Sequence, residues 1–289
     1  MKIIIPNMPI PILFDIAQCL ESVANISNLD ISMWNINTKS TMDAMDESRP
    51  DLVFIHQSQL DMSFLTLCQE LNCKYVVIST EELPNNLLVQ PVAILTFEPF
   101  HHLFSANKTI NIQPIAKIPQ IHNAKYNTDM KSEVLFNTTG IQQIDNVIQE
   151  ILLYLVNNYN TKIIGDVAIG LHQYLGKVDI FERANFIKST QIVVDMTGSD
   201  YLDAAYLKIP AVSTASSNGM TLQFNSLSTL IEHINSIFNN NSLVKDKYIE
   251  QCYEDACKNT SYHFTAKLCN LIGETSLSNT LLQYVKELI

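Results

Sequence analysis

The feature that most limits the fold is an alternation. Short apolar runs rich in Ile and Val are separated by stretches with helical periodicity, and this pattern occurs twice. Continuous apolar runs of four to eight residues read as strands buried on both faces, and amphipathic intervals read as crossover helices. Together they predict parallel α/β sheets. In the first third, Lys2–Pro6, Leu29–Trp34, Asp51–His56, Lys74–Ser79 and Val92–Phe97 read as strands, with helices over Pro11–Val23 and Met62–Leu71. The stretch from Asn107 to Met130 loses this periodicity and reads as a connection. A second series follows, with strands at Val134–Asn137, Lys162–Gly165, Gln191–Asp195 and Ala211–Thr214. Its helices read as Ile141–Asn157, Phe181–Ser189, Tyr201–Leu207 and Leu227–Phe238, and Lys247–Ile272 and Ser276–Ile289 close the chain. With 289 residues and roughly 150 per domain, the expectation is two Rossmann-like α/β domains, one over 1–120 and one over 130–272, followed by a final helix over 273–289.

Composition excludes several classes. The chain is 47% hydrophobic and 16% charged, which is too apolar and too weakly charged for intrinsic disorder. Its net charge is −11, which disfavours nucleic acid and anionic lipid as partners. The apolar N-terminal run is interrupted by Pro6, Pro9, Pro11 and Asp15 without a small-residue cleavage site after it. No secretory leader is therefore read, and no run approaches the ~20 apolar residues of a membrane span. The six cysteines form no C-x-x-C pair, so they read as reduced, buried thiols in a cytoplasmic protein, with no metal site.

In parallel sheets ligands gather outside the carboxyl ends of the strands. One such end is the loop Met196–Asp200, which delivers Thr197, Gly198 and Ser199 to a helix start, where free N–H groups favour a phosphate. Asp203, one turn on, could accept hydrogen bonds from sugar hydroxyls. Equally, Ser199 and Asp200 could simply cap the helix, with Asp203 a first-turn acid. His56 ends a strand and could take the proton of an acceptor hydroxyl, or be an ordinary strand-end residue. His172, in the loop after Lys162–Gly165, could meet a nucleotide base. Glu81, Glu82 and Glu98 are alternative bases, and His101–His102 lacks metal-ligand spacing.

The segment IVVDMTGSDYLDAAYLKIPAVS resembles the donor half of two-domain GT-B-type glycosyltransferases, and the closing helices resemble spore-maturation-type members. Leu202, Asp203, Ala204, Pro210, Ala211, Val212 and Ser213 fall on that family's frame. The resemblance, over roughly Val134–Ile272, implies sugar transfer from a nucleotide-diphosphate sugar to a glycan or protein hydroxyl, with no metal or other cofactor. It also implies that the two domains face across a cleft, 1–120 on the acceptor side and 130–272 on the nucleotide-sugar side, with the helix over 273–289 packing back on the first. It places Asp195 and Asp203 where the family has two acids eight apart, the second holding ribose. Gly140, in LFNTTG, falls in a phosphate-side loop. The family usually sets a cation by the diphosphate, so at least one of Lys162, Lys177, Arg183 and Lys188 is expected to reach the loop. The rival readings are a non-catalytic relative and a nucleotide-sugar epimerase, whose G-x-x-x-E-A-x-x-x-G-x-P segment looks similar.

Overall fold

The computed structural model describes residues 1–8, 10–80, 83, 87–97, 108–113, 115–198, 200–214, 222–239 and 242–289. It divides into two units, Met1–Gln113 with Ser261–Ile289, and Pro114–Thr260.

The elements of the first unit are β1 (Lys2–Pro6), α1 (Pro11–Ser27), β2 (Asp30–Trp34), α2 (Thr41–Ser48), β3 (Leu52–His56), α3 (Met62–Leu71), β4 (Lys74–Ser79), β5 (Ala93–Thr96) and β6 (Thr109–Asn111). The second unit continues with α4 (Ile118–Ile121), β7 (Ser132–Asn137), α5 (Asn146–Asn158), β8 (Thr161–Ile164), α6 (Ile180–Lys188), β9 (Thr190–Asp195) and α7 (Tyr201–Tyr206). It ends with β10 (Ala211–Ser213), β11 (Leu222–Gln223), α8 (Leu227–Asn239) and α9 (Ser242–Lys258). Helices α10 (Ser261–Leu271) and α11 (Thr275–Leu288) return to the first unit.

Both sheets are parallel throughout. The first has the order β2-β1-β3-β4-β5-β6 and the second β11-β10-β9-β7-β8. In each, the chain lays its second strand on one side of the first and its third on the other. The reversal falls between β1 and β3, and between β7 and β9, the place where ligands gather in open parallel sheets. Helices cover both faces of each sheet, so the strands can be apolar on both sides. In the first unit α2 and α3 bury Met45, Phe64 and Leu65 against Val53, Ile55, Val77 and Ile94. The opposite face carries α1, which packs on α10 and α11 and is joined to α10 by the Tyr262 hydroxyl donating to Ser22 Oγ at 2.9 Å. In the second unit α5 and α8 pack on Val134, Phe136, Ile192 and Val194, while α6 and α7 pack on Leu135, Ile164 and Val193. Each fully buried aliphatic side chain contributes about 1.5–3 kcal/mol. Among the described residues no helix is long and apolar enough to cross a membrane.

Helix α2 and strand β11 lay outside the sequence expectation, and three further elements differ from it, each for a local reason. The helix expected over Ile141–Asn157 starts only at Asn146, because Asp145 caps it by accepting the Ile148 N–H at 2.8 Å. The single helix expected over Lys247–Ile272 is two. It breaks at Asn259–Thr260, where Asn259 O accepts the Ala116 N–H at 2.8 Å and the chain passes back to the first unit. The residues read as a connection instead supply β6 to the first sheet and α4 to the second unit. Helix α10 thus belongs with the first unit rather than with the expected 130–272 domain.

Candidate functional site

The loops after β7, β8 and β9 converge at the second unit's topological reversal. Thr138 ties the first two together, its N–H and its Oγ1 both donating to Ile164 O at 2.8 and 3.1 Å. The approach is so close that a Cβ on Gly165 would lie 2.4 Å from Thr138 Oγ1 and 2.5 Å from Thr139 N, and Gly165 also has φ of +128°. Only glycine fits there. Gly140, at φ +82°, donates its N–H to Asp166 Oδ2 at 3.3 Å, and a Cβ built on it would meet Thr197 Cγ2 at 3.6 Å. Thr197 Oγ1 in turn donates to Thr139 O at 3.3 Å. Asp166 is paired with the Lys177 ammonium at 2.8 Å, and the Lys177 side chain is 78% exposed. That hydrogen bond holds the Asp166 carboxyl below the usual carboxylate range.

Beneath this surface lies a buried network of charge. Asp195, at the end of β9, has no solvent exposure. Its Oδ1 accepts the Thr197 and Gly198 N–H groups at 3.0 Å each, and its Oδ2 accepts those of Asp200 and Tyr201 at 2.9 and 3.0 Å. One carboxylate thereby ties down the whole turn and the start of α7. Asp200 accepts from Asn137 Nδ2 and lies 3.4 Å from Arg183 Nη1. Asp203 Oδ1 accepts the Lys117 N–H at 2.8 Å, while Oδ2 lies 3.5 Å from Lys117 Nζ and 3.9 Å from Arg183 Nη2. Burial pushes Asp203 up in pKa against the pull of these two cations. Burial and then the neighbouring Asp200 push Asp195 up, and the N–H donors oppose them.

This network corrects several expectations. The N–H groups of Thr197 and Gly198 point to Asp195 rather than outward, so they form no ready diphosphate cradle. The α7 cap is Asp195, five residues before Asp200, and the Asp200 side chain makes no cap bond. Asp203 is fully enclosed by its own chain's cations, which leaves no carboxylate edge for a ribose. Ser199 lies outside the described residues. Of the four cations considered, Lys162 binds Asp129 O, Lys188 donates to Leu207 O at 3.2 Å, and Arg183 is buried. Lys177 is the one of the four at the rim of the converging loops. His172 is exposed in the loop after β8.

His56, in the first unit, caps a 3-10 turn over Gln57–Gln59. Its Nδ1 accepts the Ser58 N–H at 3.2 Å and lies 2.8 Å from Ser58 Oγ. In the structure His56 is thus the cap of this turn. Glu81, Glu82, Glu98, His101 and His102 lie outside the described residues. Among the described residues no three His, Cys, Asp or Glu side chains gather to hold a metal. Cys19, Cys68, Cys73 and Cys269 are buried free thiols, and Cys252 and Cys257 are half-buried.

Sequence reasoning missed Lys117, Asn137, Gly165 and Asp166. Asn137 and Gly165 sit at the carboxyl ends of apolar strands, a signal that could have found them. Lys117 joins from 86 residues away, and no local pattern announces such a pairing.

No protein-family model and no curated protein matches the chain. Solved structures do. A glycosyltransferase from Rickettsia africae superposes with a TM-score of 0.64 over 99% of this chain and 98% of its own, at 11% identity. Anabaena HepE, whose structure holds UDP and glucose, gives 0.59 over 96% and 100%, at 12% identity. The UDP-GlcNAc 2-epimerase of Neisseria meningitidis, bound to UDP-GlcNAc, gives 0.53 over 99% and 100%, at 10% identity. The class these define is the GT-B-like pair of Rossmann-type domains. At such identities the likeness is one of fold.

Proposed function

We propose that this protein binds a nucleotide-diphosphate sugar, with uridine as the nucleoside, at the carboxyl edge of its second sheet, and transfers the sugar to a hydroxyl acceptor. The observation that carries the reading is the convergence of Thr139–Gly140, Asp166–Lys177 and Thr197 at the topological reversal, with an exposed ammonium at the rim. Support comes from whole-length likeness to proteins whose structures hold UDP with glucose, or UDP-GlcNAc. In transfer, the bond from the anomeric carbon to the diphosphate oxygen breaks, the acceptor oxygen bonds to that carbon, and the hydroxyl proton passes to the departing diphosphate or to water. The departing diphosphate gains negative charge, and Lys177 is the group that would offset it. In this reading Asp195 and Asp203 shape the site from below without touching the ligand.

A second reading is inversion of the donor sugar at C2, favoured by the epimerases among the structural neighbours. Calorimetric titration with UDP, followed by NMR of UDP-glucose and UDP-GlcNAc incubated with the protein, separates the two. Transfer releases UDP only when an acceptor is supplied, whereas epimerisation changes UDP-GlcNAc with no acceptor present. Failure to bind UDP would sink both and leave a non-catalytic relative of the fold.

A further inference from the structure

Four successive N–H groups line the turn after β7, and three of them are taken up by strand ends or by the turn itself. Thr138 donates to Ile164 O at 2.8 Å, Thr139 to Asn137 Oδ1 at 2.9 Å, and Ile141 to Thr138 O at 3.1 Å. The Gly140 N–H differs from the other three. It reaches a side chain of another loop, the Asp166 carboxylate, over a long 3.3 Å. The other oxygen of that carboxylate takes the Lys177 ammonium at 2.8 Å. One small anion therefore bridges a backbone N–H and a cation at the rim of the converging loops.

Asp166 is poorly suited to hold those loops together. Asp195 shows what a brace looks like in this chain, with no exposure and four N–H bonds of 2.9–3.0 Å. The Asp166 side chain is instead 36% exposed and that of Lys177 78%, and exposed ion pairs contribute little stability. The loops are tied without it, by Thr138 to Ile164 and by Thr197 to Thr139. Asp166 is nevertheless firmly anionic, because the Lys177 hydrogen bond holds its carboxyl below the usual carboxylate range. Both members of the pair are open to solvent, and so to a ligand.

We infer that Asp166 stands in for a phosphate: its carboxylate holds the anion position between the Gly140 N–H and the Lys177 ammonium, and an incoming diphosphate has to displace it. A phosphoryl group offers oxygens that can take the same two donors with more charge behind them. A singly charged anion gains nothing from these donors that Asp166 does not gain already, so the residue favours ligands carrying two or more negative charges. The inference rests on the proposed reading of this edge as a nucleotide-diphosphate site, and adds to it a residue that opposes binding there.

The test is calorimetric titration of UDP and of inorganic pyrophosphate into the parent, Asp166→Ala and Asp166→Asn. Both ligands are expected to bind Asp166→Ala about five-fold tighter. Asp166→Asn keeps an acceptor for the Gly140 N–H and should show a smaller gain. Each variant loses only an exposed pair and should melt as the parent does. In a Lys177→Met background Asp166→Ala should lose most of its gain, because the cation it frees is gone. Tightening undiminished by Lys177→Met would reduce Asp166 to a diffuse charge effect and overturn the inference. Unchanged or weaker UDP binding in Asp166→Ala, where the parent does bind UDP, would also overturn it and leave the proposed function standing. Pyrophosphate binding that tightens in the variants while UDP binds to none of them would retain the displaced carboxylate and remove the nucleotide reading. Binding of neither ligand to any variant would end both.

Discussion

The turn after β9 and the ends of β5 and β6 are both polar, both buried, and both at carboxyl edges of parallel sheets, yet their hydrogen bonding differs. Asp195 accepts four N–H groups, and Asp203 is ion-paired with Lys117 and Arg183 through its Oδ2, which makes no hydrogen bond. Thr96 Oγ1 and Asn111 Oδ1 are equally hidden and have no partner. Burial of a polar residue at a strand end therefore does not by itself mark a binding site. What makes Asp195 a brace is that its bonds are already made within the chain.

The contrast breaks most visibly at Asp195. In Asp195→Asn one oxygen becomes an amide that faces two N–H donors, orphaning both. We expect a loss of about 3 kcal/mol or more, measured by urea unfolding, and a variant as stable as the parent would show that the turn has another anchor. Lys117→Met should cost about 2 kcal/mol, because Asp203 stays buried with Arg183 as its remaining cation. Hydrogen exchange in that variant should quicken at residues 116–121 and in α7, and exchange that stays at the parent rate would undo the assignment. Gly165→Ala is expected to cost a similar 1–3 kcal/mol through overpacking against Thr138 and a left-handed φ.

At the end of β5, Thr96→Val should change stability by less than about 0.5 kcal/mol in either direction. A large loss on thermal unfolding would mean that Thr96 is a brace like Asp195. The smallest effect belongs to Lys177→Met, which should leave the melting temperature unchanged. Asp166 is held low by Lys177, so the pair's contribution is present above the ordinary carboxylate range and lost as pH falls through the lowered value. Carboxyl-carbon NMR should show the Asp166 pKa rising in this variant, and an unmoved titration would disconnect the pair.

Much of the fold was legible because a strand buried on both faces has to be apolar throughout. The runs KIIIP, LVFIH, KYVVIS, VLFN and QIVVD each became a strand of a parallel sheet. Short or mixed elements were not legible. Strand β6 (TIN) and helix α4 (IPQI) are too brief to show a period, and only their neighbours make them regular. The candidate site was half legible. Gly140 and Thr197 do lie at the converging loops, but the acids chosen beside them face inward.

The sequence by itself determined the class of fold, since the spacing of apolar runs and amphipathic stretches admits helices crossing between parallel strands and little else. It also set Gly140 in a loop just after a strand. Tertiary structure alone decided the roles of the polar residues. An aspartate reads the same whether it meets a sugar, a lysine 86 residues away or the N–H groups of its own turn. The free energy of a polar group depends on which partners the fold brings within about 3 Å of it, and that proximity is not a property of any local stretch of chain.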